Sequence, residues 1–413
     1  MNCRLTGLAR PVLGVAAGGW CVAEQLMVAD VGGPRTKRAV PLAAVLVAIP
    51  LVFAILGLLL RLFAYLQAGW EPHLGGYPDG LCRWDCQWYV ILAKSGYDPF
   101  PVPGTIDAGN WAFFPLFPMI VGGLYALIQG QVMTIATSVS IAFSIAAALV
   151  AWPLLERNIR AYALYCAFLL CGPFSIYFTS FLTEVLFVLL TNCIMLALRR
   201  SNYIAAGAFA ALLSATRIVG VFMVFAIVVQ YLVEYRQKGG QWRDLPAHLW
   251  QKPEIVLAVL LTPLGLFGYM AYLHFYMGDA LAFSHVQRAW GRVPGNPFYY
   301  LWIALTDWPK SGFWPSTNQW LGLSVIVGLA ATIVLAVRRQ YAMALFCLIC
   351  LIVPLSLGLA SMLRFVTALS PIVLVVITWL ARSRLVYLAS LLGFIVADYF
   401  FTAGWLQEWL PLV

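Results

Sequence analysis

The chain has 413 residues, of which 63% are hydrophobic and only 10% charged, and its mean hydropathy is +0.88. These figures exclude an ordinary soluble domain and read as one polytopic helical membrane unit, since each crossing takes about 20 apolar residues. The net charge of +9 does not point to nucleic acid, because the basic residues gather in short clusters between apolar runs, a pattern that sets orientation in a bilayer.

Residues 1–39 carry Arg4, Arg10, Arg35, Lys37 and Arg38 around a short apolar patch and read as a cytoplasmic tail; residues 40–413 read as a single membrane domain. The first span is expected over 40–66, with the basic cluster before it holding the N-terminus inside, so that a first outer loop follows over 67–131. Further apolar runs lie at 132–152, 161–178, 182–198, 203–216, 218–233, 254–276, 319–337, 341–360, 362–380 and 385–403. Together they predict about eleven crossings. If residues 113–128 also crossed, Arg157, Arg160, Arg199 and Arg200 would lie outside. If that segment instead lies at the interface, and 203–233 forms a hairpin turning near Arg217, all four fall inside. The second arrangement is preferred, and Pro115 and Pro118 agree with it. It brings Asp85, Glu184, Arg217, Arg364 and a second outer loop, 277–318, to one face.

Within the first outer loop, CRWDCQWYVILAKSGY (82–97) predicts a short interfacial helix. Trp84, Trp88, Ile91 and Ser95 form one stripe and Asp85, Tyr89 and Leu92 the next, while Lys94, Gly96 and Pro99 mark its end. Asp85 falls in the first turn, where the helix dipole favours a carboxylate, so a capping role stands beside a functional one. The same loop holds His73, Asp79, Arg83, Asp98 and Asp107. A carboxylate amid aromatics at a membrane surface suits a general base acting on a hydroxyl, with arginines to hold a lipid phosphate. Of nine cysteines, Cys166, Cys171, Cys193, Cys347 and Cys350 lie in apolar runs as small hydrophobes. Cys82 and Cys86 share a polar loop. Without a nearby histidine they are weak zinc ligands; a disulfide in an oxidising compartment stays open to them, although neighbours on consecutive helical turns have a poor geometry for one.

Seven stretches in this order, RWDCQWY (83–89), Gly96-Tyr97, FFPLFP (113–118), CGPFSIYFTSFLTEVLF (171–187), TRIVG (216–220), GDALAFSHVQRAWGR (278–292) and RFVTALSP (364–371), resemble the PIG-V family. These are the second mannosyltransferases of GPI-anchor assembly and their prokaryotic relatives, within the GT-C class of polyprenyl-phosphate-sugar-dependent glycosyltransferases. The resemblance runs from about 40 to 380 of the chain. Phe181-Leu182-Thr183 and Ile218 depart from the family pattern, and these departures bear on the acceptor. The resemblance implies an all-α, GT-C-like membrane enzyme that transfers mannose or a related hexose, with inversion, from a polyprenyl-phosphate donor to a lipid or glycan acceptor at the extracytoplasmic face. It implies Asp85 as the catalytic base. Arg217, Arg364 and Arg83 are the candidates for the donor phosphate; Trp84, Tyr89, Glu184, Gln287, Trp290 and Arg292 for the sugar or acceptor. No residue is singled out as a metal ligand, although a divalent cation on the phosphate is compatible with the sequence.

Each of these residues has a plainer reading. Arg217 and Arg364 at helix ends could simply snorkel, Glu184 could cap its helix, and the loop charges could be a solvated face. Asp398, inside the last apolar run, is a candidate by its placement alone. Trp302, Trp308, Trp314 and Trp320 suit an interfacial belt. The alternative function is a transporter or flippase of a lipid-linked sugar, which predicts charges in mid-span and broken helices in matching halves; no internal repeat is evident.

Overall fold

The computed structural model describes residues 41–69, 76–101, 108–307 and 316–408. The tail expected over 1–39, together with His73, Asp107, Trp308 and Trp314, lies outside the described residues. The described residues are helical, with no strand among them.

The membrane unit opens with α1 (Leu42–Ala68), followed by a short α2 (Asp85–Ser95) and α3 (Leu116–Ile128). Next come α4 (Val132–Ala151), α5 (Ile159–Leu170), the single turn α6 (Ser175–Thr179) and α7 (Glu184–Arg199). The chain continues through α8 (Tyr203–Ser214), α9 (Met223–Gln237), α10 (Leu245–Gln251), α11 (Pro253–Leu261) and α12 (Leu264–Met277). After α13 (Ala282–His285) and α14 (Pro297–Thr306) come α15 (Thr317–Val337), α16 (Tyr341–Leu355), α17 (Met362–Ala368), α18 (Ser370–Leu380) and α19 (Arg384–Leu406).

Six helical stretches are long and apolar enough to cross a bilayer, and α17–α18, bent by 73°, makes a seventh if taken as one broken span. The chain is thus a multi-span membrane protein, but the count of eleven is not reproduced at full span length. The reason is visible in the runs themselves. Residues 161–178 break at Cys171-Gly172-Pro173, leaving a 12-residue α5 and a 5-residue α6. Residues 362–380 break at Leu369, where α17 gives way to α18 with Pro371 in its first turn. The 13 residues of α3 span only about 20 Å at 1.5 Å per residue, short of a hydrocarbon core of roughly 30 Å. Residues 203–237 form the expected hairpin, with Arg217 in the turn between α8 and α9.

Two close approaches set how the elements sit. A Cβ on Gly57 of α1 would meet the Leu170 carbonyl oxygen at 1.9 Å, and one on Gly122 of α3 would meet the Ala93 carbonyl oxygen of α2 at 2.7 Å. Glycine lets these backbones touch. Beside the first contact, Arg61 and Asp398, each 1% exposed, pair at 3.6 Å. Arg61 also donates to Leu170 O (3.1 Å) and Ser175 Oγ (2.9 Å), and Ser175 in turn donates to Asp398. This knot ties α1, α5, α6 and α19 together in the low-dielectric interior, where neither charge could stand alone.

Candidate active site

The α2 helix begins at Asp85, as the spacing predicts, and stops at Gly96, whose φ is 78°. Asp85 is not the cap: that position belongs to Trp84 (φ 48°), and no side chain caps the helix. Because Cys82 therefore precedes the helix, the two cysteines are not on consecutive helical turns. Their Cα atoms stand 5.2 Å apart and they form a disulfide, a distance in the middle of the usual disulfide range. Of the two readings the spacing left open, the disulfide is the one realised, because the helical geometry that disfavoured it does not extend back to Cys82.

Freed from capping, the Asp85 carboxylate accepts from Arg364 Nη2 at 2.5 Å. Arg364 lies on α17, just before the break, and its Nε is 2.8 Å from Glu184 Oε1, although its N–H is not aimed at that oxygen. The same Glu184 oxygen accepts from Arg217 Nη2, and Arg217 Nε donates to Thr183 Oγ1 at 3.0 Å. The result is a chain of alternating charge, Asp85, Arg364, Glu184, Arg217, assembled from four separate elements. Phe365 lies against both guanidiniums, with its ring centre 5.1 Å from Arg217 and 5.8 Å from Arg364, and Phe187 adds a second ring at 5.9 Å from Arg217. These contacts hold the cations in place where water is scarce. Neither arginine snorkels.

The cluster lines a cavity of about 220 Å³, whose wall includes Asp85, Tyr89, Arg217, Gln287, Trp290, Arg292 and Arg364. Seven of the ten residues singled out from sequence therefore meet in one chamber. From the stretch after α13, Arg292 Nη1 donates to Gln287 Oε1 at 3.1 Å, and Trp290 stands edge-on to both Trp88 and Phe113 at 5.9 Å. Phe187, Val353, Pro354 and Leu357 give the chamber an apolar flank. Burial pushes Asp85 upward, but the Arg364 guanidinium, with help from Arg292 and Arg217, overrides it and holds the carboxyl below its usual range. The Tyr89 phenol is pushed up to about 12 by burial and so stays neutral. The Asp85 side chain keeps 26% of its exposure, so a base at this position can still meet a ligand.

The other three residues do not reach the chamber wall. Glu184 is completely buried, wedged beneath the two arginines; it cannot touch an acceptor and instead bridges the cations. Arg83 is also buried and lies 3.9 Å from Glu408, near the end of α19. Trp84 packs edge-on to Trp405 at 4.5 Å. The arginine and tryptophan that precede Asp85 in sequence thus point back at the end of α19. Phe365 and Phe187 were not singled out from sequence, and Thr183 only as a departure from the family pattern, yet each sits beside a candidate residue. Asp398 proves structural: it pairs with Arg61 and is sealed from the chamber. Among the described residues, no group of three His, Cys, Asp or Glu side chains is placed to share a metal ion.

No family model matches the chain. It is 26% identical over 222 residues to the GPI alpha-1,6-mannosyltransferase 2 of Mus musculus and 30% identical over 220 residues to that of Cricetulus griseus. In each case the match covers 48% of this chain, and the chain spans under half the length of these curated relatives, 42%. Among solved structures, the crystal structure of ArnT from Cupriavidus metallidurans bound to undecaprenyl phosphate superposes with a TM-score of 0.51 at 16% identity, covering 85% of this chain and 62% of ArnT. The chain is therefore similar in sequence to these mannosyltransferases over about half its length and similar in fold to ArnT.

Proposed function

We propose that the chain is an integral-membrane inverting glycosyltransferase, which moves mannose or a related hexose from a polyprenyl-phosphate donor to a hydroxyl of a lipid-linked or glycan acceptor at the extracytoplasmic face. The observation that carries this reading is the Asp85 carboxylate sharing one partly open chamber with Arg364, Arg217 and Arg292. The names of the relatives support the sugar, and the ligand in the ArnT structure supports the lipid phosphate.

In the proposed step the acceptor oxygen attacks the anomeric carbon in line with the departing phosphate oxygen. The hydroxyl proton passes to Asp85 as the new carbon–oxygen bond forms and the bond to phosphate breaks. One displacement inverts the centre and needs no protein nucleophile. The polyprenyl phosphate leaves with extra negative charge. Arg364 and Arg217, fixed in advance by Glu184, Thr183 and Phe365, receive it without having to reorganise. Once the phosphate shares Arg364, the carboxylate loses part of its partner and becomes a stronger base. Trp290, with Trp88 and Phe113 behind it, offers a ring surface to the sugar, and Gln287 and Arg292 offer donors. A divalent cation fits the residues poorly, because both carboxylates are already engaged by arginine; no step is routed through one.

The decisive measurement supplies purified protein with radiolabelled polyprenyl-phosphate mannose and a panel of lipid acceptors. Transfer by the wild type is expected to fall about 10²–10⁴-fold in Asp85→Asn with the fold intact, the usual contribution of a positioned base. Folded wild-type protein that transfers nothing from any lipid-phosphate sugar would overturn the proposal.

A further inference from the structure

We propose that the Cys82–Cys86 disulfide is a positioning device for Asp85, so that the activity inferred above depends on the oxidation state of this pair. The inference rests on the transferase reading for its kinetic consequence but on the local geometry for its substance.

Asp85 lies inside the small ring that the disulfide closes. At this point the chain leaves a single turn at Asp79–Leu81 and must start α2 without a side-chain cap. Trp84, immediately before Asp85, has φ 48° and ψ −118°, a conformation that side-chain-bearing residues rarely adopt. Such a conformation persists only where the surroundings over-determine it. On one side the Cys86 half-cystine is completely buried, with its sulfur 3.7 Å from Met133 Sδ on α4. On the other side the Leu81 carbonyl accepts from Trp405 Nε1 at 2.8 Å. The disulfide joins these two anchors across the residue that carries the carboxylate. Its removal lets Trp84 relax to ordinary dihedrals and turns the Asp85 side chain away from Arg364. The arginines stay where they are, because Glu184, Thr183 and Phe365 hold them independently of this loop.

The prediction follows from that separation: loss of the disulfide lowers turnover and leaves donor recognition intact. Dithiothreitol supplies two electrons and two protons, giving two thiols and cyclic oxidised dithiothreitol; oxidised glutathione reverses this, releasing two reduced glutathiones. Purified protein is assayed oxidised, reduced and reoxidised, alongside the C82S/C86S variant. The expected result is a loss of kcat of about a hundredfold on reduction, the scale of a misplaced reacting group, with an unchanged KM for the donor, full recovery on reoxidation, and the same kcat deficit in the variant. A parallel readout needs no activity. Water-soluble carbodiimide with glycine ethyl ester labels Asp85 slowly while it is paired with Arg364, and faster once it is released, as measured by peptide mass spectrometry. If reduced protein and the variant keep both the oxidised kcat and the oxidised labelling rate, the inference is overturned. If oxidised wild-type protein transfers no sugar, the transferase reading fails by itself, and the labelling rates alone decide the inference.

Discussion

Asp85 is drawn below the ordinary carboxylate range by the cations around it, Arg364 foremost. A carboxyl whose folded pKa is depressed adds stability above its unfolded pKa, and that stability is lost as pH falls through the folded value. The acid limb of kcat/KM, which reports the free enzyme, is therefore expected below the ordinary aspartate value of about 4. Arg292→Gln removes one of the charges that pull Asp85 down and should move that limb upward; an acid limb unmoved in the variant would remove Asp85 from the role of base. Glu184→Gln should act differently. It weakens the bridge between Arg217 and Arg364, so a rise in donor KM is expected with a smaller change in kcat. The place of Asp85 at the start of a helix is legible in the sequence, because Lys94, Gly96 and Pro99 mark the far end and the length does the rest. The role of Glu184 is not legible, since a glutamate in a first turn has the same sequence signature whether it caps, binds or bridges. The geometry of Cys82 is not legible either, because helical spacing does not hold for a residue that precedes the helix.

The helices hold one another through a few polar knots and glycine contacts. Asp398→Asn leaves Arg61 as an uncompensated buried charge and should cost on the order of 3–5 kcal/mol, read as a lowered melting temperature in detergent, while the chamber itself loses no lining group. Gly57→Ala should destabilise by about 1–3 kcal/mol, the ordinary scale of overpacking, since the added carbon has nowhere to go but into the Leu170 carbonyl. Most element positions were legible from apolar runs alone: α1, α4, α15 and α19 fall within a few residues of their expected limits. The breaks at Gly172-Pro173 and Ser370-Pro371 were not taken from hydropathy, because averaging over a window hides a proline that ends one helix and starts another. Those breaks matter, for the second ends the helix that carries Arg364.

Across the molecule, α7 links two sets of polar contacts. Arg199, at the far end of α7 from Glu184, donates to the Pro153 carbonyl at 3.0 Å, and Ser201 donates to Glu234 on α9 at 2.9 Å. Arg199 thus lies at the end of α7 away from the chamber, roughly 24 Å along the sixteen residues of that helix. Membrane-impermeant maleimide added outside intact cells should label Arg288→Cys, in the exposed second loop, and spare Arg338→Cys; the reverse pattern would invert the proposed orientation. The way α2, α7, α17 and the loop before α14 close on one another was not legible in the sequence, because it depends on bends that no run of letters encodes. One helix governs that closure. Its first residue, Glu184, grips Arg364, and about two turns along Asn192 binds Tyr165 (2.9 Å), the Ala147 carbonyl (3.0 Å) and Ser370, at the head of α18. The kinked segment is therefore pinned at two points to the same ruler, and lengthening that ruler by a single residue between the pins would rotate one away from its mate and spoil the phosphate grip without touching any residue that meets the sugar.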